Sequence, residues 1–121
     1  MKPMPDKKPD FPASTPEIRA VVEDIFHALD DGTRRAMVET LTAKPCSVTH
    51  LANSLGITLT AVGQHLDVLE GAGLVRTEKT GRVRVCTLES AGFAVLEKWA
   101  RERRTTWEKR LDRLSKLLDK E

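Results

Sequence analysis

Apolar residues recur at helical spacing in five stretches of the chain, and two short β-prone runs separate the fourth stretch from the fifth. The first opens with Thr15-Pro16-Glu17: a capping hydroxyl, a proline in the first turn and an acid at the positive end of the helix dipole. Ile18, Val21, Val22, Ile25, Phe26 and Leu29 then form a stripe wide enough to pack on two neighbours, one of them another subunit. Asp31 can cap a second helix over about residues 32–41, with Met37, Val38 and Leu41 turned inward. Ser47 can cap a third, in which Val48, Leu51, Ala52 and Leu55 share one face and Gly56 permits the left-handed backbone that ends it. Thr58 can cap a fourth, with Val62, Leu66 and Leu69 inward, and Gly71 and Gly73 stop it. The runs 74–79 and 82–88 flank Thr80-Gly81 and read as a β-hairpin. A fifth helix over about residues 93–120 carries Leu96, Trp99, Ala100, Trp107, Leu111, Leu114, Leu117 and Leu118.

The third and fourth helices make a helix-turn-helix. Thr60, Ala61, Gly63, Gln64 and Asp67 face outward from the second of them, with His65 near the boundary. Small and amide-bearing residues at a helix start suit a surface pressed into a DNA major groove. Short loops join helices in many folds, so this motif alone fits an ordinary helical hairpin as well. A helix-turn-helix followed at once by a basic hairpin is the more specific winged-helix order. The expected architecture is therefore mainly α with a small β-hairpin wing. Candidate DNA contacts are Thr58, Thr60, Ala61, Gln64 and His65 on the helix, and Lys79, Arg82 and Arg84 with Arg76 on the hairpin. Charge on an edge strand also guards against aggregation. The recognition helix has no Lys or Arg and carries Asp67 and Glu70, which keeps open a winged helix that binds protein.

The last helix changes the picture from one chain to two. Trp107, Leu111, Leu114 and Leu118 step by 4, 3 and 4, a coiled-coil-like seam. So small a domain cannot cover it, and a homodimer through the terminal helices can, with Val21, Val22, Ile25 and Phe26 of the first helix adding to the seam. The charges between these positions are mixed, a solvated face and not a basic DNA stripe. The organisation expected is a disordered, proline-rich tail over 1–14, a winged helix-turn-helix domain over 15–92, and a dimerisation helix over 93–121 packed on the same domain.

With 121 residues, 40% hydrophobic and 31% charged, the chain is one globular domain. No apolar run approaches the ~20 residues that cross a bilayer, and the N-terminus shows no apolar signal segment, so a cytoplasmic location is expected. Net charge is only +2, so the local placement of charge carries the DNA argument. No phosphate loop, metal set or nucleophile–base constellation marks an enzyme. Arg34 and Arg35 sit in a first helical turn, against the dipole, and call for a phosphate, an acidic partner, or an internal bridge to Glu39 or Glu23. Cys46, in the loop before the third helix, and Cys86, in the wing, are expected as buried free thiols. The alternative is a redox switch, if folding brings them together.

Three strings together resemble the ArsR/SmtB family: Leu29-Asp30-Asp31-Gly32-Thr33-Arg34-Arg35; Val62-Gly63-Gln64-His65-Leu66-Asp67-Val68-Leu69-Glu70-Gly71-Ala72-Gly73-Leu74-Val75; and Gly81-Arg82 with the strand after it. The resemblance implies a small dimeric winged-helix repressor whose partners are a palindromic DNA operator and a second copy of itself. It does not bring the family's metal chemistry with it. Lining up Leu51-Ala52 with the family motif puts Ser47 and Thr49 where the best-known cysteine pair stands. Cys46 is one residue out of register, about 100° round a helix. The family's other common site uses acids and histidines of the last helix, and residues 93–121 contain neither histidine nor cysteine. His27, His50 and His65 are widely spaced, so no metal and no other cofactor is expected.

Overall fold

Four of the helices begin where a side chain takes up one of their first free amides. Thr15 Oγ1 accepts from the Ile18 amide (3.1 Å), Asp31 Oδ1 from Arg34 (3.0 Å), Ser47 Oγ from His50 (3.0 Å) and Thr58 Oγ1 from Ala61 (3.0 Å). These caps start α1 (Pro16–Leu29), α2 (Gly32–Ala43), α3 (Val48–Leu55) and α4 (Leu59–Gly71). The computed structural model describes residues 15–119; the tail expected over residues 1–14 lies outside them. The order continues with β2 (Val75–Thr80), β3 (Val83–Leu88) and α5 (Ser90–Asp119), and a two-residue strand β1 (Cys46–Ser47) precedes α3.

The expected two-stranded wing is thus a three-stranded antiparallel sheet, ordered β1-β3-β2. Cys46 lies in that sheet and not in a loop, opposite Cys86, and Ser47 lies opposite Val85. A two-residue strand has no period to read, and its partner is far along the chain. The helix of the C-terminus also starts earlier than expected, at Ser90. Gly92 lets it do so. Its amide donates to the Gly73 carbonyl at 2.8 Å, and a Cβ on Gly92 would stand 2.6 Å from the Ala72 oxygen.

Ile25, Met37, Leu51, Val62, Leu66, Leu69, Leu74 and Cys86 form the fully buried centre of the core. Val22 and Ile25 belong to this core, not to an outer dimer face as expected: they are 4% and 0% exposed. The exposed apolar residues of α1 are their neighbours Val21 and Phe26. One residue along a helix is a turn of about 100°, and the packing of α1 chose the other side of its wide stripe.

Arg34 and Arg35 bind neither Glu39 nor Glu23. Arg34 Nε donates to the Ala28 carbonyl (2.7 Å) and its Nη2 to that of His27 (3.2 Å), while Arg35 Nη1 donates to that of Leu29 (2.7 Å). The last carbonyls of α1 have no partner within their helix and form the negative end of its dipole. Two guanidinium groups from the start of α2 satisfy them and fix the α1–α2 corner.

Candidate nucleic-acid interface

Gly56, at φ 68° and ψ 34°, turns the chain between α3 and α4, and the Ile57 amide closes the turn on the Ala52 carbonyl at 3.1 Å. Leu66, Leu69 and Val62 anchor α4 in the core. That orientation leaves Thr60, Gln64 and Asp67 exposed and Ala61 and Gly63 half-buried. Thr58 is exposed, with its oxygen used as the cap and its hydroxyl proton free to donate outward.

His65 points elsewhere. It is half-buried, with Nδ1 3.3 Å from Arg34 Nη1. A guanidinium only donates, so Nδ1 must be the acceptor and the ring proton sits on Nε2. His65 therefore ties the middle of α4 to the α1–α2 corner. The amide of Arg34, accepted by Asp31, holds the Asp31 carboxyl below the usual carboxylate range and so keeps the same corner capped.

In the wing, Thr80 pairs with Val83, and Gly81 (φ 64°) and Arg82 form the turn. Lys79, Arg82 and Arg84 are all exposed. Glu70, at the end of α4, does not face outward as an isolated acid. Its Oε2 accepts from both the amide and the hydroxyl of Thr77, each at 3.1 Å, and Thr77 Oγ1 in turn accepts from Arg84 Nη2 at 3.2 Å. This chain of bonds ties the recognition helix to the wing. Arg76 is engaged too, 3.0 Å from Glu89 and 3.8 Å from Glu78. Among the described residues, Lys79 and Arg82 are the wing cations without an ion pair or hydrogen bond. An open cleft of about 410 Å³ lies between the two parts, walled by Ser47, Val48 and Thr49 of the α3 start, by Leu59, and by Arg82, Val83 and Arg84.

The two cysteines meet within the sheet. Both are buried free thiols, and Cys46 Sγ donates to the Lys44 carbonyl at 3.4 Å. Burial pushes the Cys86 thiol up to about 11. Ser47 and Thr49 carry hydroxyls, and that of Ser47 caps α3.

A family model for a helix-turn-helix domain matches residues 29–78, from the end of α1 into the wing. The crystal structure of an ArsR family transcriptional regulator, RHA00566, is 38% identical and superposes with a TM-score of 0.69, covering 79% of this chain and 96% of that one. The chain belongs to the ArsR family. A second member, an ArsR-like transcriptional regulator from Rhodococcus sp. RHA1, superposes with a TM-score of 0.78 at 25% identity, over 89% of this chain and 99% of its own. The HTH-type transcriptional regulator Rv2034 of Mycobacterium tuberculosis is 46% identical over 71 residues, 59% of this chain and 66% of that protein, just under two thirds of its length. This ArsR-family chain is accordingly a DNA-binding transcriptional regulator and not an enzyme. Its fold is the winged helix-turn-helix that the residue pattern predicts. Among the described residues no helix is long and apolar enough to cross a membrane.

Of the helix face and wing cations expected from the sequence, Thr60, Gln64, Asp67, Lys79, Arg82 and Arg84 are exposed and Ala61 and Gly63 half-buried; His65, expected near the boundary of that face, is half-buried against Arg34. It gave no role to Leu59, exposed at the head of α4, or to Val83 at the start of β3.

Proposed function

We propose that the protein is a cytoplasmic repressor that binds a near-palindromic operator as a homodimer, one half-site per α4. Thr60 and Gln64 contact base edges, with Thr58 and Ala61 beside them. Lys79, Arg82 and Arg84 hold phosphates. His65 positions α4 through Arg34. The observation that carries this reading is the pairing of an exposed polar face on α4 with two uncommitted wing cations. Selection of duplexes from a random pool should enrich a two-fold sequence, with affinity falling steeply as salt rises. A pool that enriches nothing would favour the protein-binding alternative.

The far half of α5 supports the dimer. Every residue from Trp107 to Asp119 is exposed, including Trp107, Leu111, Leu114, Leu117 and Leu118, at 44–64%. Val21 and Phe26 extend the apolar surface on α1, where Phe26 meets Trp99 edge-on at 5.4 Å. Apolar surface on this scale asks for a partner. Leu114→Glu places two carboxylates near the two-fold axis, so sedimentation should show a monomer that has lost specific but not weak DNA affinity. A variant that stays dimeric at micromolar concentration places the interface elsewhere. Regulation by a metal is not part of the proposal, because Ser47 and Thr49 replace the family's thiolates.

The pairing of Cys46 with Cys86 favours one second reading, a thiol switch in which a small disulfide oxidises the pair and is itself reduced to two thiols. The same burial leaves roughly one Cys86 in ten thousand as the reactive thiolate near neutral pH, which ranks this reading behind the first.

A further inference from the structure

Nine large apolar side chains are exposed among the described residues, and seven of them lie on α1 and α5. The other two are Leu59 (55% exposed), the first residue of α4, and Val83 (48%), the first of β3. Both line the cleft between the start of α3 and the wing, into which α4 puts Leu59, with Arg82 and Arg84 also in its wall.

The chain goes out of its way to keep Leu59 bare. Gly63 follows it by one helical turn, and a Cβ there would meet nothing within 4 Å. Neither packing nor a left-handed backbone requires this glycine, and it weakens the helix. A helical side chain leans back over the turn before it, so a long side chain at residue 63 would reach toward Leu59, whereas glycine leaves that surface open. An uncovered leucine beside a vacant helix surface, rimmed by guanidinium groups, fits an incoming polyanion that also carries a small apolar group. In the DNA major groove that group is the thymine 5-methyl.

We propose that Leu59 is a specificity-determining residue that receives a thymine 5-methyl group in each half-site, with Val83 closing the apolar wall and Gly63 admitting the base pair. This rests on the operator-binding reading above. The contact buries one methyl, so its removal should weaken binding about fourfold per half-site and about sixteenfold when both half-sites change.

The test replaces each thymine of a pool-selected duplex with uracil, which removes the methyl and keeps every hydrogen-bonding group. Affinities are measured at fixed salt for the wild type, Leu59→Ala and Leu59→Met. The wild type and Leu59→Met should prefer thymine at one position per half-site, and Leu59→Ala should bind both duplexes equally there. A wild type that binds the duplex but ignores uracil at every position overturns this inference and leaves operator binding standing. So does a Leu59→Ala protein that still prefers thymine at the same position, or one that weakens the thymine and uracil duplexes by the same factor, since Leu59 would then rest on the sugar. A pool that enriches no sequence removes the operator reading, and this inference with it.

Discussion

Two glycines on opposite sides of the same motif should answer alanine in opposite ways. At Gly92 the added Cβ stands 2.6 Å from the Ala72 oxygen, 2.7 Å from the Gly73 oxygen and 2.9 Å from the Gly73 carbonyl carbon. All three are backbone atoms and cannot rotate away. An ordinary C···O approach is about 3.3 Å, so the start of α5 must retreat by about 0.7 Å. That movement stretches the 2.8 Å bond from the Gly92 amide to Gly73. Losing a buried backbone bond costs about 0.5–1.5 kcal/mol, and strain in a packed site about 1–3 more. Gly92→Ala should therefore destabilise by about 2–4 kcal/mol, a large share of the roughly 5–15 kcal/mol that holds a domain together. Gly63→Ala meets nothing and should stabilise by up to ~1 kcal/mol. Urea unfolding followed by circular dichroism, at one fixed protein concentration, measures both. A Gly92→Ala protein within about 0.5 kcal/mol of the wild type would refute the seating of α5 on the α4–β2 turn.

Gln64→Ala should change which base is preferred at one position, by about 1–3 kcal/mol, while Arg82→Ala should weaken all duplexes alike and lower the salt slope by about one; the reverse pattern in binding titrations would exchange their roles. The Cys86 thiol is raised from 9.0 to about 11 by burial, so the folded state favours the protonated form. Its stabilising effect is complete below about pH 9 and is lost as pH rises to about 11, on the order of 2 kcal/mol. Unfolding at stepped alkaline pH should show this decline in the wild type and a smaller one in Cys86→Ala. Calorimetry with Zn(II), Cd(II) or As(III) should show no stoichiometric sub-micromolar binding that releases DNA, since no cysteine pair stands at Ser47 and Thr49.

Local chemistry was the most legible layer. Thr15, Asp31, Ser47 and Thr58 each cap the helix that the apolar period assigns to them, because a cap and its amide are neighbours in sequence. Features that depend on distant partners were not readable. β1 exists only because β3 comes to lie beside it, and nothing in Cys46-Ser47 alone signals a strand. The α1 stripe is apolar on both sides, so its sequence could not say that Val22 and Ile25 turn inward while Val21 and Phe26 turn out. Arg34 and Arg35 suggested acidic partners because side chains are visible in a sequence, whereas the free carbonyls of a helix end are not. Gln64, Lys79 and Arg82 were identified as surface polar groups from pattern alone, but Leu59 was not, since an apolar residue at a helix start looks like core until its exposure is known.

The polar groups that α4 keeps for itself bear on how it meets DNA. His65 fastens its middle to Arg34, and through Arg34 to the end of α1. Glu70 fastens its end to Thr77 of the wing. These two attachments, with Val62, Leu66 and Leu69 beneath, leave the helix little freedom to turn relative to the wing. Of the two acidic residues that count against a DNA reader, Glu70 is held by the wing, where its charge meets an amide and a hydroxyl, while Asp67 stays exposed. Helix and wing thus approach a duplex already arranged, and little ordering remains to oppose binding. Within one chain the reading surface is close to fixed. What stays adjustable in the proposed dimer is the distance between its two copies of α4, and that distance is set by α5 and the exposed residues of α1. A half-site spacing near one DNA turn, roughly 34 Å, tolerates little error. The operator affinity of such a dimer is accordingly most sensitive to packing along Trp107, Leu111, Leu114 and Leu118, far in the chain from the residues proposed to touch DNA.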